Sequence, residues 1–141
     1  MRYVFQEAEI DIPGEFRDNS VNVIAVTLDD GSSLSITVNR RPSGPDDTIE
    51  RLMEADLEFA HGEDDGFERL WTRPHTIDGR TAAIAALRLH SGDGAAEQRV
   101  VYIKAEATLL KLTATVSNAF TQQQLAALNT IASSFRFTVA S

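Results

Sequence analysis

Tyr3, Phe5, Ala8, Ile10 and Ile12 fall in near-alternation with polar residues, slipping near Glu7. That period predicts a strand over Tyr3–Ile12, ended by Pro13-Gly14. Phe16-Arg17-Asp18-Asn19-Ser20 reads as a polar loop entering a second strand, Val21–Leu28. Val21, Val23 and Ala25 share one face of it, and Ile24, Val26 and Leu28 the other. With both faces apolar, this strand is expected to be covered on both sides. Asp29-Asp30-Gly31 is a hairpin turn signal. The third strand, Leu34–Asn39, alternates cleanly and is closed by Pro42, Gly44 and Pro45.

The period then changes. Ile49, Leu52, Met53, Leu57 and Ala60 form one helical stripe behind the capping candidates Asp46, Asp47 and Thr48. Gly62 is expected to end this helix, and Glu63-Asp64-Asp65 to form a solvated turn. Phe67–Ile77 reads as a strand interrupted at Pro74, and Asp78-Gly79 is the strongest hairpin signal in the chain. Thr81–Leu89 returns with Ala82, Ala83, Ala85 and Ala86, small enough for close packing against the sheet. After a turn at Ser91-Gly92-Asp93-Gly94, the strands Gln98–Glu106 and Leu109–Val116 follow. Thr121 and Gln124 make a capping box, with Phe120 and Leu125 as its staple, for a closing helix whose buried stripe is Leu125, Leu128, Ile131, Ala132 and Phe135.

The expected order is βββ-α-ββββ-α in one domain spanning residues 1–141. Short turns between strands imply an antiparallel sheet. Two helices on one face of such a sheet give a two-layer α+β fold whose second face has no helix to cover it.

Composition narrows the class. The chain has 141 residues and is 43% apolar, enough for a core without metals or disulfides. It has no cysteine, which excludes thiolate nucleophiles, cysteine zinc sites and a lipid-anchoring cysteine. Residues 1–10 carry charges and lack an apolar signal-peptide core, so a cytoplasmic location is expected. No run approaches the ~20 apolar residues of a membrane span, so direct membrane insertion is not expected. A net charge of −8 disfavours nucleic acid as a partner.

Candidate chemistry is sparse. His61, His75 and His90 have no metal-ligand spacing, so no metal is expected. Glu63, Asp64 and Asp65 lack the pattern of a calcium loop. Glu50, Glu54 and Glu58 lie opposite the apolar stripe of the first helix and read as a solvated face. No serine elbow and no glycine-rich phosphate loop is present. Trp71 and Arg73 could stack on a ligand, though tryptophan at such a place is more often core. These readings point away from an enzyme or a cofactor and toward a binding module.

Three stretches resemble the DcrB-like family, which includes the Eag-type chaperones of type VI secretion effectors. The first runs from Phe5 to Val23, with Glu7 and Glu9, Ile12-Pro13, Phe16, and the Asp18-Asn19-Ser20-Val21-Asn22-Val23 run. The second is Leu34–Arg41 followed by a capped helix. The third is Gln98-Arg99 with Tyr102-Ile103, then Leu112-Thr113-Ala114-Thr115 and a helix ending in Ser134-Phe135. The resemblance implies a PsbP-like α+β fold. It also implies a homodimer that holds the hydrophobic N-terminal helices of a secreted effector in the cytoplasm, by helix-in-groove recognition.

Carried over by residue, the partner-binding positions are Val21, Asn22 and Val23 on the second strand, Asp56 on the first helix, and Arg99 and Val100 on the strand Gln98–Glu106. Two depart from the family pattern: Asp56 and Val100 stand where glutamines are expected. Val21 and Val23 could equally be ordinary core. The alternative from another class is a small-ligand-binding or enzymatic domain with a pocket between sheet and helices.

Overall fold

The computed structural model describes residues 2–4, 9–11, 21–63, 66–91, 94–105 and 107–137. The segment expected as one opening strand contributes two short ones, β1 (Arg2–Val4) and β2 (Glu9–Asp11), paired antiparallel with each other. The Pro13-Gly14 turn, the loop over Phe16–Ser20, and residues 64–65 and 92–93 of the expected turns lie outside the described residues.

Next come β3 (Asn22–Thr27), β4 (Ser33–Pro42), α1 (Ile49–Glu63), β5 (Phe67–Ile77), β6 (Arg80–Ser91), β7 (Gly94–Ala105), β8 (Thr108–Ser117) and α2 (Gln122–Ser134). The last six strands form one antiparallel sheet in the order β3-β4-β8-β7-β6-β5. The class is α+β, and strands and helices follow one another as expected.

Turn chemistry sets the register. Asp78 and Gly79 both have positive φ, 49° and 73°, the pairing a two-residue hairpin between right-twisted strands requires. In the β3–β4 hairpin, Gly31 takes φ 86° as the last residue of a three-residue loop, and the Leu28 N–H donates to the Ser32 carbonyl across it. Pro74 is accommodated because β5 is an edge strand.

The two helices lie on opposite faces of the sheet, which corrects the expected two-layer arrangement. Leu128 and Ala132 of α2 join a cluster with Leu34, Ile36, Leu112 and Ala114. Ile49, Met53 and Leu57 of α1 join a separate one with Ala83, Ala85, Val100 and Tyr102. The physical reason lies in β6 and β7, whose neighbouring residues enter different clusters: Ala82 and Val101 meet α2's, Ala83 and Val100 meet α1's. A central strand apolar on both faces needs cover on both.

A second correction concerns β3. It is the sheet's other edge strand, and Val21, Val23 and Ile24 are exposed rather than covered. Helix α1 packs over β5, β6 and β7, at the far side of the sheet.

Candidate functional site

Because α1 covers only part of its face, the β4 and β8 portion stays open beside it, forming a cleft of about 470 Å³. Alternation builds the floor. Leu112, Ala114 and Val116 are buried on the α2 side, which turns Lys111, Thr113 and Thr115 toward the cleft. Thr37 and Asn39 of β4 and Gln98 of β7 continue the floor, and the Gln98 amide donates to the Thr115 hydroxyl at 3.1 Å. Leu57, Phe59 and Ala60 of α1 form the wall. Val23 stands opposite Thr37 in the β3–β4 register, so it extends the floor toward the sheet edge.

Among the described residues, the charged lining of the cleft is Arg41, Asp56 and Lys111, and both cations hold the carboxylate. The buried Asp56 carboxylate accepts from the Tyr102 hydroxyl at 2.6 Å. It also pairs with Arg41 at 2.9 Å and Lys111 at 2.8 Å. Burial pushes this carboxyl up, but the bonds from Lys111 and Tyr102 and the two nearby cations outweigh it and hold it below its ordinary value. The same burial and the same carboxylate push the Tyr102 phenol far up. A carboxylate so engaged is a poor general base, since its lone pairs are taken. Among the described residues no group of three His, Asp or Glu side chains converges on a metal-sized site.

The structure divides the residues singled out from sequence. Val23 is 70% exposed on the cleft side of β3, and Val21, one residue before the strand, is 56% exposed; neither is ordinary core. Asp56 lines the cleft from α1, turned inward to Tyr102. Val100 also lies on this face, but it is 1% exposed and packed under α1. Asn22 and Arg99 are on the opposite face: Asn22 is in register with Val38 and Arg99 with Ala114, both in or against the α2-side core. One-residue steps along a strand reverse the side-chain direction, so Asn22–Val23 and Arg99–Val100 each straddle the sheet.

With this geometry in view, the family model named DcrB matches residues 7–134, from before β2 to the end of α2. The chain belongs to the DcrB family. A solved structure, that of PA94 from Pseudomonas aeruginosa, a protein of unknown function proposed to be a regulator, superposes on this DcrB chain with a TM-score of 0.81. The alignment covers 99% of this chain and 98% of that one at 20% sequence identity, which speaks for a shared fold. No curated protein matches the chain significantly.

Several cleft residues of the DcrB chain escaped sequence reasoning. Gln98 supplies a floor amide, two residues before Val100 and on the same face. Thr37, Thr113 and Thr115 were legible as the outward side of their strands, but nothing in the pattern said which helix would leave them open. Phe59, 66% exposed, lies off α1's apolar stripe, and a large aromatic there was the available signal. Among the described residues, no helix is long and apolar enough to cross a membrane.

Proposed function

We propose that this DcrB-family chain is a cytoplasmic chaperone or adaptor that shields a hydrophobic helix of a type VI secretion effector, and that its work is binding rather than catalysis. The observation that carries the reading is the cleft: an uncharged strip of Val23, Thr37, Thr113 and Thr115 faced by the exposed Phe59. An apolar helix would bury Val21, Val23 and Phe59, a gain of roughly 25 cal/mol per Å² of apolar surface removed from water. The threonine hydroxyls and the Gln98 amide can meet small polar groups on the helix, which a wholly apolar floor would leave unpaired. We carry the PsbP-like kinship and the homodimer as parts of this proposal.

The test is Val23→Asp with co-purification of an effector bearing apolar N-terminal helices. Since Val23 is exposed, its replacement is expected to change stability by no more than about 0.5 kcal/mol. Circular dichroism and thermal melting should therefore match wild type. Client binding should fall by orders of magnitude, because an unpaired carboxylate buried against a helix costs roughly several kcal/mol. A folded variant that retains its client at the wild-type level would remove the β3 face from the site. Light scattering of the free chain tests the dimer, and a monomer at high concentration overturns that part alone.

The cleft's volume also lies within the range of small-ligand pockets, roughly 300 to 1,000 Å³. Arg41 and Lys111 are both already paired with Asp56, so among the described lining residues no charged group is left uncommitted for such a ligand, and the helix reading is preferred.

A further inference from the structure

On the α2 face, away from the cleft, two guanidinium groups approach the Trp71 ring of β5. Arg73 sits 4.0 Å from its ring centroid and Arg99 5.3 Å; Arg99 is also 4.8 Å from the Phe120 ring. Beside them is a pocket of about 210 Å³ whose apolar walls are Ile84, Val101, Leu125, Leu128 and Ala132, with Leu125 still 37% exposed. Trp71, His75, Arg99 and Asn129 complete the lining, and none of these groups is acidic.

The arginines are left with positive charge to spend. Among the described residues neither Arg73 nor Arg99 forms an ion pair. The neighbouring carboxylate, Glu97, is already held by Arg88 at 2.7 Å and by the Phe120 N–H at 3.0 Å. Glu68 stands opposite Arg88 in the register and 3.7 Å from His90. Burial and the charges of Arg73 and Arg88 lower the Arg99 pKa, against the opposing pull of Glu97, as expected for a cation short of counter-charge. This occurs in a chain of net charge −8. Arg99 donates one Nη1–H to the Gln98 carbonyl at 3.4 Å, and a guanidinium stacked on an indole keeps its remaining edge N–H donors available for a carboxylate. The pocket is smaller than the roughly 300 Å³ at which small-molecule sites begin, and suits a single side chain.

We propose that this face is a second docking site, for an acidic segment of a partner protein: one apolar side chain enters the pocket beside Leu125, and flanking carboxylates pair with Arg73 and Arg99. It stands whether or not the cleft holds a helix.

Trp71 is the chain's single tryptophan, so its fluorescence reports on this site without a label. The probe is a short blocked peptide with a central leucine between aspartates, titrated into the full chain. A saturable change in emission that weakens with added salt is expected. Arg73→Glu, at an exposed position, should keep the melting temperature and weaken binding by about tenfold or more, since it turns an ion pair into a repulsion. Leu125→Asp should do the same through the pocket. The proposal is overturned by the absence of a saturable change, by equal binding of a peptide with lysines for the aspartates, or by wild-type affinity in folded Arg73→Glu. Equal binding of phenylacetate would also overturn it, because the site would then take any small apolar acid.

Discussion

Asp56 is heavily committed, with Tyr102, Lys111 and Arg41 all directed at one carboxylate. Its two cations differ. Lys111 is largely enclosed, whereas the Arg41 side chain is 52% exposed and can turn to water. Removing the carboxylate therefore strands Lys111 and the Tyr102 hydroxyl more than Arg41. Asp56→Ala is expected to destabilise by about 3 kcal/mol, the low end for breaking a buried pair. Tyr102→Phe should cost about 1.5 kcal/mol, since Asp56 keeps its cations. Urea melts of the two single variants and the double variant measure this; strict additivity would show that Tyr102 and Asp56 do not act together. From sequence, Asp56 was legible as a departure from a family glutamine. Its inward turn was not, because the partners come from β4, β7 and β8 and no local pattern brings them to α1.

At the scale of elements, α2 shows what local chemistry can and cannot announce. The expected capping box is present: the Gln124 N–H donates to the Thr121 hydroxyl at 3.1 Å, and the Thr121 N–H donates to the Gln124 amide oxygen at 2.9 Å. Gln124 does more. It is buried, and its amide nitrogen donates to the Ser33 carbonyl at 2.9 Å, tying the helix start to β4. Thr121→Ala should cost about 1 kcal/mol. Gln124→Ala should cost about 2 kcal/mol, because a buried tertiary bond goes with the cap. Equal losses in thermal melts would mean that the Ser33 bond adds nothing. Glu97 was not singled out in the sequence at all. It pins the turn before α2 through the Phe120 N–H, a role visible only once β7 lies beside β8. Strand ends were read closely where turns mark them: β5 occupies the expected Phe67–Ile77, and Asp78-Gly79 forms its hairpin.

At the scale of the whole molecule, two carboxylates buried among the described residues shape the response to acid. Burial raises both Asp56 and Glu97, but bonds from Lys111 and Tyr102 in one case, and from Arg88 and the Phe120 N–H in the other, bring the net value below the ordinary one. A carboxyl depressed in the fold contributes stability that is full above its unfolded value, about 4, and is lost as pH falls through the folded value. The melting temperature should stay nearly level from about pH 7 to pH 5 and drop below about pH 4. The double variant Asp56→Asn, Glu97→Gln should start lower and decline less steeply. A parallel decline in both proteins would assign acid sensitivity to other groups.

The one-dimensional pattern was sufficient for the α+β class, the order of strands and helices, the hairpin turns at Asp29-Asp30-Gly31 and Asp78-Gly79, and the cap of α2, because each depends on residues a few positions apart. The family was legible too, in the Gln98-Arg99, Tyr102-Ile103 and Leu34–Arg41 stretches. Periodicity says that a strand has two faces and which residues share one; it does not say what covers either. The tertiary structure alone decided that α1 and α2 lie on opposite faces and that β3 is an exposed edge. It also turned Arg99 toward Trp71 while Val100 faced α1. Those outcomes depend on where each helix can bury its stripe, a competition among surfaces distant in the chain.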